Sequence, residues 1–224
     1  MIEIVSTTRH DENSFWDRSA LGRSLTRLSA DTRLTHFISF ENKIGLGEIY
    51  NRRITAISDH DILVFIHDDI WIDDPFFADE LLKGLEHYDI IGVAGNRRRA
   101  LFQPSWCFID EKFTCDKLLN LSGSVAHGPM PNGPVSHYGD APADCELMDG
   151  ALLAVRRSKL TTTNVYFDPT FRFHFYDMDF CRTARQKGLR LGTWRIALTH
   201  QSPGNFGSAE WKAAYAAYLH KWKT

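Results

Sequence analysis

The segment Asp61-Ile-Leu-Val-Phe-Ile-His67-Asp68-Asp69 constrains this chain more than any other: five consecutive apolar residues run straight into an imidazole and two carboxylates. An apolar run that short and continuous is a strand buried on both faces, the environment of a parallel sheet covered by helices. The flanking pattern agrees. Ile2 to Thr8 reads as a buried strand, and Asp11 to Asn13 can cap a helix that carries Leu21, Leu25 and Leu28 on one face. Thr35 to Phe40 reads as a second strand, and Leu46, Tyr50 and Ile57 mark a helix running to about Ser58. Asp74-Pro75 supplies an N-cap followed by proline at the first helical position, with Phe77, Leu81 and Leu85 on one face, before Ile90 to Ala94 returns as strand. The alternation β-α-β-α-β-α-β predicts an α/β fold with a mostly parallel central sheet and helices on both faces.

The second half is less regular. Between Gly123 and Pro142 lie four of the eight prolines and four of the fifteen glycines, a composition that predicts a long functional lid or a disordered loop. A strand over Leu147 to Val155 follows, then the aromatic stretch Tyr166 to Tyr176. A helix over Tyr176 to Lys187 is stopped by Gly188, Leu189 to Thr199 forms a closing strand, and a terminal helix places Trp211, Tyr215, Tyr218 and Trp222 on one face. That face, flanked by Lys212, Lys221 and Lys223, is expected to pack against the sheet, with contact to a membrane surface as the alternative.

Charge and length narrow the function. With 26 basic and 28 acidic residues among 224, the chain lacks the basic excess that displaces counterions from phosphates, so no nucleic-acid partner is expected. Its longest apolar run, Ala213 to Leu219, has seven residues and spans no bilayer, and the amino terminus shows no signal-peptide pattern. Cys107, Cys115, Cys145 and Cys181 form no CxxC pair and read as free thiols of a cytoplasmic protein. No P-loop, GxGxxG, GxSxG or HExxH occurs.

Ligands of open α/β sheets bind beyond the carboxyl ends of the strands, which directs attention to Thr7-Thr8-Arg9, Glu41-Asn42 and His67-Asp68-Asp69. Two carboxylates and an imidazole at such an edge suit Mg²⁺, or Mn²⁺, which tolerates nitrogen. His200, at the end of the last strand and beside a glycine-containing loop, can reach a metal through a ring nitrogen. Asp177, preceded by Phe171, Phe173, Phe175 and Tyr176, sits where an apolar environment raises a carboxyl toward a useful general base. Asp179, two residues on, falls on a different helix face, so one of the pair can face a substrate while the other braces the fold.

Taken together, Glu41-Asn42-Lys-Ile-Gly45 leading to Asn51, the strand ending in His67-Asp68-Asp69, Phe175-Tyr176-Asp177-Met178-Asp179-Phe180 followed by Gly188, and Thr199-His200 resemble the family 2-like glycosyltransferases of the GT-A fold, in particular the small single-domain, streptomycin-biosynthesis-type members. Two positions depart from the family pattern: His67 stands where the first acid of a DxD motif is expected, and Tyr176 where an acid precedes the catalytic Asp. The resemblance implies one domain over 1–224, with a nucleotide-binding half (1–100) and an acceptor-side half (101–224) containing the 123–142 loop and a helix over about 208–222. It implies an inverting glycosyltransferase using Mn²⁺ or Mg²⁺ held by Asp69 and His200 with His67, and Asp177 as base. Thr7, Thr8, Arg9, Glu41, Asn51 and Asp68 would line the nucleotide pocket. Trp106, Asp149, Gly150 and His174, with Tyr176 and Asp179, would contact the sugar or a glycan or small-molecule acceptor. The competing expectations are a non-catalytic nucleotide-sugar or glycan-binding module and, third, a sugar nucleotidyltransferase.

Overall fold

The computed structural model describes residues 1–57, 59–202 and 204–223. Along the first half run β1 (Ile2–Thr7), α1 (Glu12–Arg18), α2 (Ala20–Arg27), β2 (Leu34–Ser39), α3 (Leu46–Thr55), β3 (Ile62–Ile66), β4 (Ile70–Ile72), α4 (Phe77–His87), β5 (Ile90–Gly92) and β6 (Ala94–Asn96). The second half holds β7 (Leu121–His127), β8 (Val135–Gly139), β9 (Ala143–Asp144), β10 (Leu147–Met148), β11 (Leu152–Arg156), α5 (Arg157–Thr163), α6 (Tyr176–Gln186), β12 (Leu191–Thr193), β13 (Leu198–His200) and α7 (Ala209–Trp222).

The central sheet has the order β2-β1-β3-β11-β5-β12-β9, and five of its seven strands (β2, β1, β3, β5 and β12) point the same way. This is the mostly parallel α/β sheet that the strand–helix alternation predicts. All five residues of β3 are buried, because α3 packs on β1 and β3 while α4 packs on β5 and β11. A second sheet, β10-β6-β7-β13-β4 with β8 added to β7, stands beside it.

The structure departs from the expected elements where local chemistry or sheet choice intervenes. The first helix is two. Ser19 adopts an extended backbone, donates its own N–H to the Phe15 carbonyl to close α1, and accepts the Gly22 N–H on Oγ at 2.9 Å to open α2. Position 22 must be glycine there, since a Cβ would stand 2.3 Å from the Phe15 carbonyl oxygen. α3 ends at Thr55, leaving Ile57 fully exposed, and its expected end at Ser58 lies outside the described residues. Asp74 caps a turn ahead of α4 by accepting the Phe76 N–H at 2.8 Å, and the helix proper starts at Phe77.

Three apolar runs expected as single strands are each divided. The run Ile90 to Ala94 leaves the central sheet for the second at Val93, and Leu189 to Thr199 does so between Thr193 and Leu198, whereas Leu147 to Val155 passes the other way, from the second sheet into the central one, at Asp149-Gly150. The 123–142 segment is not a structureless lid: β7 and β8 pair as an antiparallel hairpin, with its prolines and glycines gathered largely in the connection from Gly128 to Pro134. The aromatic face of α7 is spent on the core. Phe175 stacks on Tyr215 at 5.5 Å and lies 5.3 Å from Trp211 and 5.2 Å from Tyr218, so this face is not offered to a membrane surface. Among the described residues no helix is long and apolar enough to cross a membrane.

Candidate active site

Parallel pairing of β1 with β2 and β3 brings their carboxyl ends to one edge, with Thr7 opposite Ser39 and the Ser6 hydroxyl donating to the Ile66 carbonyl at 2.7 Å. Thr7, Thr8, Arg9, Glu41 and the His67-Asp68-Asp69 turn therefore leave the sheet together. The His67 N–H donates to the Ala151 carbonyl at 3.2 Å, tying this turn to β11. β13 pairs antiparallel with β4, setting His200 opposite Ile70, and the Gln201 N–H donates to the Asp69 carbonyl at 3.0 Å. Through those ladders one ligand atom each of His67, Asp69 and His200 comes within 4.8 Å of the other two.

This triad fits a divalent cation. His200 Nε2 makes an ion-pair contact of 3.3 Å with Asp69 Oδ1, a buried oxygen that among the described residues accepts no well-formed hydrogen bond. A buried carboxylate oxygen in that state has only an imidazole contact in place of its hydration, a deficit that a cation removes. Burial alone would raise the Asp69 carboxyl, but the neighbouring His200 and His67 hold it down at about 2. His67 is pulled below the usual imidazole range by burial, aided by His200 and opposed by Asp69. His200 shifts the other way: burial lowers it, and contact with Asp69 more than compensates.

The second centre is the start of α6. Asp177 Oδ2 accepts the Gly150 N–H at 3.0 Å and Oδ1 accepts the Met178 N–H at 2.8 Å. Burial, then the charge of Asp149, pushes the Asp177 carboxyl up to about 7 against the pull of those two amides. Asp149 is itself fixed, accepting from Trp106 Nε1 at 2.9 Å and from the Ala151 N–H at 2.8 Å. Tyr176 joins the two centres: its hydroxyl lies 2.7 Å from His67 Nε2 and 2.8 Å from the Gly150 carbonyl.

Other residues singled out in the sequence are placed less favourably. Asp179 is completely buried and does not reach this site; it accepts from Trp222 Nε1 at 2.8 Å and pairs with Lys221 at 2.7 Å, the bracing role open to one member of the Asp177/Asp179 pair. Asn51 clamps the Phe167 backbone, Nδ2 donating to its carbonyl at 2.8 Å and Oδ1 accepting its N–H at 2.9 Å, so its amide is committed to holding α3 against the 167 segment rather than to a ligand. Thr7 and Thr8 are buried, Arg9 and Glu41 are exposed, and the Asp68 carbonyl accepts the Leu21 N–H at 3.1 Å. His174 packs edge-on against Phe173, and Phe173, half exposed, stacks 6.0 Å from His67. Phe173 is legible in the sequence only as part of the apolar surroundings of Asp177, not as a neighbour of His67, and Ser202, whose hydroxyl lies 3.1 Å from His200 Nε2, belongs to no motif that would single it out. In the run Arg97-Arg98-Arg99, Arg98 pairs with Asp116, Arg99 with Glu146, and Arg97 donates to the Asp140 carbonyl.

No family model and no curated protein sequence matches this chain. Solved structures do. The catalytic domain of Drosophila beta1,4-galactosyltransferase 7 in complex with xylobiose matches at 12% identity and TM-score 0.53, covering 96% of this chain and 79% of that one. GalNAc-T7 with UDP, GalNAc and Mn²⁺ matches at 10% identity and TM-score 0.58, covering 98% of this chain and 48% of that one. S. aureus TarS matches at 10% identity and TM-score 0.51, covering 90% and 36%. This chain thus spans about half the length of the GalNAc-T7 chain and about a third of TarS. What the three share with it is architecture: the chain has the GT-A fold found in glycosyltransferases.

Proposed function

We propose that this chain is an inverting glycosyltransferase that moves a sugar from a nucleotide-diphosphate donor to an acceptor hydroxyl with the aid of a divalent cation. The observation that supports this reading is the gathering of His67, Asp69 and His200 ligand atoms within 4.8 Å of one another, linked through Tyr176 and Gly150 to Asp177, a carboxyl raised to about 7. His67, Asp69 and His200 would hold the cation, and two imidazoles with one carboxylate favour Mn²⁺ over Mg²⁺, which prefers oxygen. A cation bound there supplies positive charge that stabilises a departing diphosphate. Thr7, Thr8, Arg9, Glu41 and Asp68 line the edge on the nucleotide side. On the acceptor side Trp106 and Asp149 form one hydrogen-bonded wall, with Gly150 next to Asp149, Tyr176 hydrogen-bonded to the Gly150 carbonyl, and His174 two residues before Tyr176.

Asp177 is the base. Its carboxylate takes the proton of the acceptor hydroxyl, the freed oxygen attacks the anomeric carbon from the face opposite the diphosphate, and the bond from that carbon to the diphosphate oxygen breaks with its electron pair leaving on the diphosphate. One displacement inverts the anomeric configuration. A base near 7 is ionised in about half of the molecules at neutral pH and keeps useful basicity, which is the compromise general-base catalysis requires.

The test is a thermal-shift screen against UDP, GDP and dTDP with and without Mn²⁺, since a ligand that binds only the folded state raises apparent stability. Stabilisation by one nucleotide that requires Mn²⁺ and disappears in Asp69→Ala and His200→Ala is the expected result. No shift with any nucleotide defeats the donor assignment. Full transfer activity in Asp177→Asn defeats the assignment of the base.

A further inference from the structure

The two positions at which the chain departs from the motifs it resembles, His67 and Tyr176, are hydrogen-bonded to each other. We infer that Tyr176 is a positioning residue: it holds His67 in the tautomer protonated at Nε2, leaving Nδ1 as the nitrogen that meets a divalent cation. The inference rests on the reading of His67, Asp69 and His200 as a cation site.

The number of available protons fixes the tautomer. A phenol has one O–H, and the Tyr176 oxygen stands 2.8 Å from the Gly150 carbonyl and 2.7 Å from His67 Nε2. A carbonyl can only accept, so the hydrogen bond to Gly150 consumes the phenol proton. The phenol oxygen is then an acceptor toward His67, and Nε2 must carry a hydrogen. A neutral imidazole protonated at Nε2 has its lone pair on Nδ1. The opposite assignment, with the phenol donating to His67, strips the Gly150 carbonyl of this donor in a buried place.

The surroundings hold this arrangement in place. Tyr176 is 3% exposed, its ring wedged 6.1 Å from Tyr50 and 6.0 Å from Phe167. Gly150 permits the approach, because a Cβ at that position would stand 2.2 Å from the phenol oxygen. Hydrogen bonds from outside the ligand shell set the orientation and tautomer of metal-binding histidines in general, and removing one costs roughly 10- to 100-fold in metal affinity.

The experiment is a long-range ¹H–¹⁵N correlation spectrum of the full, metal-stripped, ¹⁵N-labelled chain at pH 8, with His67 assigned by its disappearance in His67→Gln, followed by Mn²⁺ titration calorimetry. The expected results are a His67 ring protonated at Nε2 in the parent chain, loss of that single tautomer in Tyr176→Phe, and roughly 10- to 100-fold weaker Mn²⁺ binding by a folded Tyr176→Phe protein. A parent His67 protonated at Nδ1 overturns the inference, even if Tyr176→Phe fails to fold. So does unchanged Mn²⁺ affinity in folded Tyr176→Phe. A parent chain that shows the Nε2 tautomer but takes up no Mn²⁺ overturns the cation site of the proposed function, and with it the purpose assigned to the tautomer, while the Tyr176–His67 bond stands.

Discussion

Replacing Asp177 by Asn should make stability less dependent on pH, by an amount the site itself dictates. The carboxyl ionises at about 7 in the folded chain against an ordinary 3.8, with burial the leading cause and the Asp149 charge the next. Between those values the folded chain binds more protons than the unfolded one, so stability from this group is fully present at low pH and is lost as pH rises through the folded value. The slope is about 1.4 kcal/mol per pH unit, which gives a loss of about 3 kcal/mol between pH 5 and pH 8 and an upper limit of about 4 kcal/mol over the whole range. Asparagine does not titrate. The difference in unfolding free energy between Asp177→Asn and the parent should therefore shift by about 3 kcal/mol in the variant's favour from pH 5 to pH 8. Histidines that titrate in the same interval contribute to both proteins and largely cancel in this difference. Urea unfolding at pH 5, 6, 7 and 8 in the presence of a chelator measures it, as a relative midpoint movement of about 1.5 M for an m-value near 2 kcal/mol/M. A gap between the two proteins that stays constant to within about 0.5 kcal/mol over this range refutes the raised carboxyl, and with it the physical basis for Asp177 as a base at neutral pH.

Lys221→Met should cost about 3 kcal/mol at pH 8 by urea unfolding, because it removes the cation paired with the fully buried Asp179 carboxylate and leaves it, among the described residues, the Trp222 N–H, and the loss should shrink toward low pH as the carboxyl, raised by burial, takes up a proton; equal losses at both pH values would contradict this. Gly150→Ala should destabilise by about 1–3 kcal/mol through the 2.2 Å approach to the Tyr176 oxygen, and removing that oxygen in Tyr176→Phe should make the double variant less unstable than the sum of the singles. Ser19→Ala, which removes the cap opening α2, should cost about 1 kcal/mol in the same assay. If the chain transfers sugar as proposed, its kcat/KM should rise with pH through a limb near 7 that is missing from any residual activity of Asp177→Asn.

Much of this architecture is written locally. The unbroken apolar run Ile62–Ile66 can satisfy its side chains only between two covering layers, so its central place, its parallel pairing with β1 and the charged edge where it ends are legible from residue order, whereas its antiparallel pairing with β11 is not. Asp177 and His200 are likewise legible as candidates, because a helix start rich in aromatics and a strand end are local features. What residue order cannot carry is the partition of strands between sheets. The runs 90–94, 147–155 and 189–199 are rich in apolar residues on both sides of their crossing points, and both sheets offer an apolar environment, so the points where they cross over are decided by pairing with distant chain. Those crossings build the site: β13 sets His200 beside Asp69, and the turn between β10 and β11 sets Gly150 against Tyr176 and Asp177. The same holds for charge. Asp177 and Asp179 differ in role because one meets two backbone amides and a like charge while the other meets Lys221 and Trp222, and a carboxyl's environment exists only after packing. The sequence by itself determined the buried parallel strands and the chemistry gathered at their ends, because burial patterns are short-range. Tertiary structure alone decided which of those groups stand within hydrogen-bonding reach, because that depends on ladders and helix docking between residues far apart in the chain.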